Sequence, residues 1–247
     1  MRTKSLKELL ALPQRQVPYI LEPQLLGVGG SMVFYGMAGT LKSWLAVDLA
    51  FAFSTGSKWL DIYQTSKVTT LIVQGEVTES DYQRRMVKYC AHLNGSVPDN
   101  IFFDNDLELK LDGFVGLNVM LQDIAERKPD VVILDCMYQL MAGSVSAELD
   151  LKKLVNNLDK VKNAGISIVL IHHPRKEGDD DRGYDEMLGH SVLRNWLDTI
   201  VRVRGLPEGA SQPTVVELEF QKVKNAEQEM QNIRVRFDRE TVRFNLR

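Results

Sequence analysis

The stretch Ser31-Met-Val-Phe-Tyr35-Gly36-Met37-Ala38-Gly39-Thr40-Leu41-Lys42-Ser43-Trp44 decides how the rest of this sequence is read. Ser31–Tyr35 is a brief apolar run, too short for a helix and bounded by glycines, so it reads as a buried strand. From Ser43 to Phe53 the chain is apolar nearly all round, as a buried helix is, with Gly56 as its stop signal. Between them lies a Gly36-x-x-x-x-Leu41-Lys42-Ser43 loop, close to the Gly-x-x-x-x-Gly-Lys-Ser/Thr pattern that cradles phosphates. Backbone N–H groups at a helix N-terminus attract anions, Lys42 is placed to reach β- and γ-phosphates, and the Ser43 hydroxyl suits Mg²⁺. Leu41 departs from the pattern, because a second glycine normally stands there; Gly39, two places earlier, is the available source of flexibility. The expected ligand is ATP or a related nucleotide, bound by Gly36 through Trp44 with Mg²⁺.

Outward from this loop the pattern repeats. Val68–Val73, Val131–Leu134 and Ile166–Ile171 read as strands, and Glu79–Leu93, Phe114–Arg127 and Glu148–Ala164 as helices, the last capped by Gly165. Apolar runs without alternation are what strands buried on both faces look like, and their alternation with helices implies a parallel sheet with right-handed crossovers. Residues 199–204, 214–220, 233–237 and 241–246 read as strands with short turns, expected to form an antiparallel extension of that sheet. Residues 5–12 read as a short amphipathic helix and 13–30 as irregular, giving an N-terminal helix and extended arm over 1–30 and an α/β core domain over 31–247. The most loop-like stretch is Lys176–Gly189.

Three strand ends carry polar groups. Asp135 follows Val131–Leu134, where a carboxylate faces the ligand crevice of an open α/β sheet and can hold Mg²⁺ through water; a strand-ending aspartate in a turn is the alternative. Glu76 follows the strand ending at Gln74 and suits a general base for an attacking water, with Glu79 and Asp81 as neighbours better placed to start the next helix. His172 and His173 close a third strand; adjacent strand residues face opposite ways, which makes them a poor chelating pair and leaves one as a γ-phosphate sensor and the other as a packed histidine. Lys222 and Lys224 share one face after a late strand, either as a solvated edge or with one reaching a phosphate on a neighbouring subunit.

Composition narrows the classes further. The chain has 247 residues, with 30 Lys+Arg against 33 Asp+Glu, a net −3 that argues against a generally cationic nucleic-acid coat while allowing a local basic patch. Two cysteines, Cys90 and Cys136, without a CxxC pair argue against a disulfide scaffold or a cysteine zinc site. The charged opening Met1-Arg-Thr-Lys-Ser-Leu-Lys-Glu8 and the lack of ~18 consecutive apolar residues lead to the expectation of a cytoplasmic chain that neither enters nor spans a membrane.

Taken together, these segments resemble the RecA-like ATPases related to plasmid-encoded RepA helicase and, more distantly, the replicative DnaB-type helicases. The resemblance spans roughly residues 20–230. It rests on Phe34–Trp44 with Asp48-Leu-Ala, Ser54-Thr-Gly56 and Trp59, on Leu71-Ile-Val-Gln-Gly-Glu76, on Arg84-Arg85-Met86, on Asp135, on Val169-Leu-Ile-His-His-Pro-Arg-Lys176, and on Gly189-His-Ser-Val-Leu-Arg194 with Asp198. Some relatives, many from phages and mobile elements, carry a bulky residue before the lysine, so Leu41 looks like a subgroup feature. The resemblance implies a RecA-like P-loop NTPase fold and ATP hydrolysis with Mg²⁺ at Ser43 and Asp135, Glu76 as base, His173 as sensor and Lys224 or Lys222 as a finger in trans. It also implies a ring of self, often a hexamer, threaded by single-stranded DNA and working with replication or mobile-element proteins. Asp179-Asp-Asp181 is an unpromising surface for phosphates, partly offset by Arg175, Lys176 and Arg182.

Overall fold

The computed structural model describes residues 3–13, 18–93, 95–173, 191–206 and 214–247. Among them a nine-stranded sheet forms the middle layer. Its strands are β3 (Ser31–Tyr35), β6 (Thr70–Gln74), β7 (Ile101–Asp104), β8 (Val131–Asp135), β9 (Ser167–His172), β10 (Thr199–Leu206), β11 (Val215–Val223), β12 (Ile233–Asp238) and β13 (Arg243–Leu246). The spatial order is β13-β12-β11-β10-β3-β9-β8-β6-β7. From β10 to β7 every pairing is parallel; from β10 outward through β11, β12 and β13 every pairing is antiparallel. The α/β class, the mostly parallel centre and the antiparallel C-terminal strands are as the sequence pattern implies. Strand β10 joins the two parts: it pairs antiparallel with β11, as the extension implies, and also parallel with β3, Val201 opposite Phe34.

Alternation along each buried strand builds two cores. Met32, Phe34, Ile133, Val169, Ile171 and Val201 point to one face, where α2 (Lys42–Thr55) and α3 (Glu79–Cys90) cover them. Val33, Tyr35, Leu134, Leu170 and Ile200 point to the other, under α4 (Phe114–Arg127), α5 (Glu148–Asn163) and α6 (Ser191–Trp196). Both faces being covered is why these strands lack an apolar–polar alternation. Helix α2 ends at Gly56, left-handed at φ +72°, whose N–H donates to Ala52 O. The outer strands are joined by charge: Arg204 and Arg234 both pair with Glu217, and Arg202 and Arg204 with Glu219.

One reading is corrected, and short elements are added. Residues 13–30 are not irregular throughout: β1 (Tyr19–Leu21) pairs with β2 (Leu26–Gly27), and Ile20, Leu21, Leu25 and Leu26 are buried in the α2-side core. A small hairpin, β4 (Lys58–Trp59) with β5 (Tyr63–Gln64), and the edge strand β7 carry too few residues to stand out in the sequence. Helix α1 (Leu6–Leu10) forms, closed by a Ser5–Glu8 capping box, but buries none of its residues.

Asp48 lies inside α2, where it accepts from the Tyr89 hydroxyl at 2.9 Å, with the Arg243 guanidinium 4.0 Å away and stacked over the Tyr89 ring. Burial pushes its carboxyl up from 3.8 to about 6, against the pull of Tyr89 and Arg243. The folded state therefore holds this proton more tightly than the unfolded chain, so Asp48 favours folding most below about pH 4 and this contribution is lost as pH rises through about 6. The difference in unfolding free energy between wild type and Asp48→Asn should shift by about 2 kcal/mol against wild type from pH 4 to pH 7, measured by urea titration at each pH.

Candidate active site

The loop from Tyr35 to Lys42 is shaped by three residues with positive φ. Gly36 (φ +152°) lies so close to β10 that a Cβ there would sit 2.2 Å from Val203 O. Gly39 (φ +81°) faces open space. Leu41, in the place of the usual glycine, is left-handed at φ +66° and stands at the N-cap of α2 without a side-chain capping bond. A left-handed non-glycine residue costs roughly 1–2 kcal/mol. Leu41 offsets this by packing its partly buried side chain on the α2-side core. The uncapped helix start leaves N–H groups for an anion.

Lys42 is only 2% exposed. Its Nζ donates to Gly36 O at 2.8 Å, Met37 O at 2.7 Å and Thr40 Oγ1 at 3.2 Å. Burial lowers its pKa to about 8, opposed by the charges of Asp135, Cys136 and Glu76. The loop therefore wraps a lysine whose charge is met by groups from two other strand ends.

Those ends lie side by side. Gln74 pairs with Asp135 across β6 and β8, and Tyr35 with His172 across β3 and β9. Asp135 is buried, and its Oδ1 has no hydrogen-bond partner among the described residues. Burial raises its pKa to about 6; the Ser43 hydroxyl lowers it, Glu76 raises it, and Lys42 and Arg85 lower it. An unpartnered carboxylate oxygen beside a serine hydroxyl is an oxygen donor set that fits a hard cation such as Mg²⁺. Glu76 is half-exposed, 3.4 Å from the Cys136 thiol that donates to it and 3.9 Å from His173 Nε2. His172 is fully inside, and burial, then His173 and Lys42, lower its pKa to about 4, so it is neutral. Burial and Lys42 also lower the His173 pKa, against Glu76, and neither of its ring nitrogens has a hydrogen-bond partner among the described residues.

Gly36 to Ser43, Glu76, Asp135 and His173 are thus brought together. Two sequence-derived site residues are not. The Trp44 indole packs against Phe237 and Tyr89, at 5.8 and 6.5 Å between rings, which leaves its backbone rather than its side chain for a nucleotide. Lys224 sits at the other end of the sheet, paired with Asp198 at 3.2 Å, and Asp198 also accepts from the Ser31 backbone that starts β3. Lys222 is there too, donating to Arg194 O and Leu197 O. Of the two arginines in α3, Arg84 pairs with Asp81 while Arg85 acts on Asp135. Arg175, Lys176, Asp179–Asp181, Arg182, Gly189 and His190 lie outside the described residues. Sequence reasoning missed Cys136 and Tyr82. The first had its signal, following Asp135 directly; the second is a buried hydroxyl in α3 without a partner among the described residues, whose pKa burial and Asp135 push up.

With this geometry in view, the chain matches the AAA domain family AAA_25 over residues 2–179. It belongs to that family. The match takes in the loop, Glu76, Asp135 and His173, and ends before Lys222 and Lys224. This AAA domain is thereby a RecA-like P-loop ATPase in family and in fold. No curated protein matches it. Among solved structures, the flagellar accessory protein FlaH from Methanocaldococcus jannaschii is similar to it over 89% of each chain, at 16% identity and a TM-score of 0.62, which speaks for a shared fold.

The loop geometry makes a graded prediction. Gly36→Ala should abolish nucleotide binding, since its methyl meets backbone rather than a movable side chain. Leu41→Gly should leave stability within about 1 kcal/mol of wild type, strain relief offsetting lost burial. Leu41→Val, β-branched at positive φ, should be about 1–2 kcal/mol less stable than Leu41→Gly. Urea unfolding and nucleotide titration on the three variants check the order.

Proposed function

We propose that the chain hydrolyses ATP with Mg²⁺ held by Ser43 and, through water, Asp135, and that it works as a ring oligomer on DNA in the manner of RepA- and DnaB-type helicases, in replication or mobile-element maintenance. The observation that carries the catalytic part is the meeting of Lys42, Asp135, Glu76 and His173 at neighbouring strand ends. Phosphate oxygens replace loop carbonyls on Lys42, and the N–H groups at the start of α2 hold the phosphate chain. Mg²⁺ supplies neutralisation of charge on the β- and γ-phosphates. Glu76 accepts the proton of the attacking water, its half-exposed carboxylate being open to solvent. His173, neutral, offers an N–H to the γ-phosphate. In a ring, Lys224 of one copy is the group presented to the next, since it is exposed and lies away from its own loop.

Lys42→Ala should abolish turnover. Glu76→Gln should lower kcat by about a hundredfold or more while nucleotide affinity changes by only a few-fold. Single-stranded DNA at low salt should stimulate the wild type. Turnover unchanged in Glu76→Gln removes it as base, and the absence of both stimulation and DNA binding removes the helicase reading.

A second reading is a slow, nucleotide-dependent assembly ATPase that acts on protein partners. The net charge of −3 favours it, as does a fold neighbour that is a flagellar accessory protein. Sizing without nucleic acid, with and without a non-hydrolysable ATP analogue, separates the two. Nucleotide-driven assembly is expected on the second reading, and a monomer under both conditions counts against it.

A further inference from the structure

We propose that Glu76, Cys136 and His173 form a second cation site, for a thiophilic divalent ion such as Zn²⁺, beside the oxygen-lined position at Ser43 and Asp135. One carboxylate oxygen, one sulfur and one imidazole nitrogen from these residues all lie within 4.8 Å of one another. Cys136 Sγ is 3.4 Å and His173 Nε2 3.9 Å from the same oxygen, Glu76 Oε1. A tetrahedral zinc holds oxygen, nitrogen and sulfur ligands about 3.3–3.6 Å apart, so closing the site needs side-chain shifts of about 1 Å. Both His173 ring nitrogens are buried without a hydrogen-bond partner among the described residues, which leaves a lone pair for a metal. The thiol is buried and already directed at Glu76. Glu76, half-exposed, forms the open side, where water completes the shell.

Ligand type separates the two positions. Mg²⁺ is hard and takes oxygen; thiolate and imidazole select softer ions, Zn²⁺ and Co²⁺ among them. The carboxylates of Glu76 and Asp135 face the cations Lys42 and Arg85 there, so it is ligand type rather than net charge that selects the ion. Binding releases the Cys136 thiol proton to solvent and leaves sulfur, nitrogen and oxygen on the metal, with no change of oxidation state. An ion held there occupies the Glu76 oxygen that takes the proton from the attacking water. Inhibition of turnover thus rests on the proposed role of Glu76, whereas binding itself does not.

The test titrates Co²⁺ into untagged full-length Cys90→Ser protein, in which Cys136 is the one remaining thiol. A thiolate-to-cobalt absorption band should grow to one equivalent and be removed by Zn²⁺; no band overturns the proposal. Glu76→Gln and His173→Gln, each in that background, should weaken Co²⁺ binding by at least about tenfold, the scale on which even groups that only support a ligand act. Unchanged affinity in both reduces the site to a lone thiol and overturns it. In a Mg²⁺–ATP assay one equivalent of Zn²⁺ should stop turnover, with recovery on adding a chelator but not on adding Mg²⁺. Full turnover with the cobalt-competent site loaded by Zn²⁺ overturns the regulatory part. A protein with no turnover before any zinc is added overturns the ATPase reading instead, and the cobalt band still decides the site.

Discussion

A buried ammonium organises this protein. Taking a lysine charge out of water costs several kcal/mol unless fixed dipoles and opposite charges replace the water. Lys42 has both: two loop carbonyls and a threonine hydroxyl at hydrogen-bond distance, and the carboxylates of Asp135 and Glu76 farther off. The loop is wound because its carbonyls must turn inward to the lysine while its N–H groups remain at the helix start. That winding demands positive φ at Gly36, Gly39 and Leu41. The acidic residues stand at the same end of the sheet, on β8 and just past β6, which pair with each other and are separated from the loop's strand β3 by β9. A lowered lysine pKa and a raised aspartate pKa are two sides of one arrangement, in which cation and anion are buried together and still leave one carboxylate oxygen unpartnered.

Much of this was legible in the sequence, because buried parallel strands leave a strong mark. Val131-Val-Ile-Leu134 and the run to Ile171 have no polar alternation; Asp135 follows the first at once, and His173 follows the second after the packed His172. What was not legible has physical reasons. Ile101-Phe-Phe-Asp104 is four residues at a sheet edge, partly exposed, and lacks the buried run that marks its neighbours. Strand direction is not encoded in periodicity, so β10 looked like the antiparallel strands that follow it although it also pairs parallel with β3. Tyr19–Gly27 is broken by Pro23, and it is tertiary burial of Leu21, Leu25 and Leu26, not local pattern, that orders it. Trp44 closes the Phe34–Trp44 stretch in sequence; one helical step turns its ring to Phe237, a placement that the linear pattern does not carry.

Leu41 shows how local and tertiary preferences trade against each other. Local preference alone favours glycine at φ +66°. A leucine persists there because its side chain has somewhere to go, the edge of the α2-side core, which a glycine would leave open. The departure from the usual motif is therefore a property of packing beneath the loop rather than of the phosphate side.

The role of the C-terminal third follows from the other end of the same loop. Family similarity stops at residue 179, and the strands beyond it look, in sequence, like an appended antiparallel sheet. Yet the carbonyl of Val203 on β10 is the surface against which Gly36 is pressed, close enough to forbid any side chain. Strand β10 is fixed in turn by β11 along its length, through Arg202 and Arg204 on Glu219 and Glu217. This backbone surface behind the loop fixes where its first residue can stand, and hence where the carbonyls that hold Lys42 point. The antiparallel strands thus act on the phosphate loop from behind, and the charge ladder that joins them is part of what holds the nucleotide end of the sheet in shape.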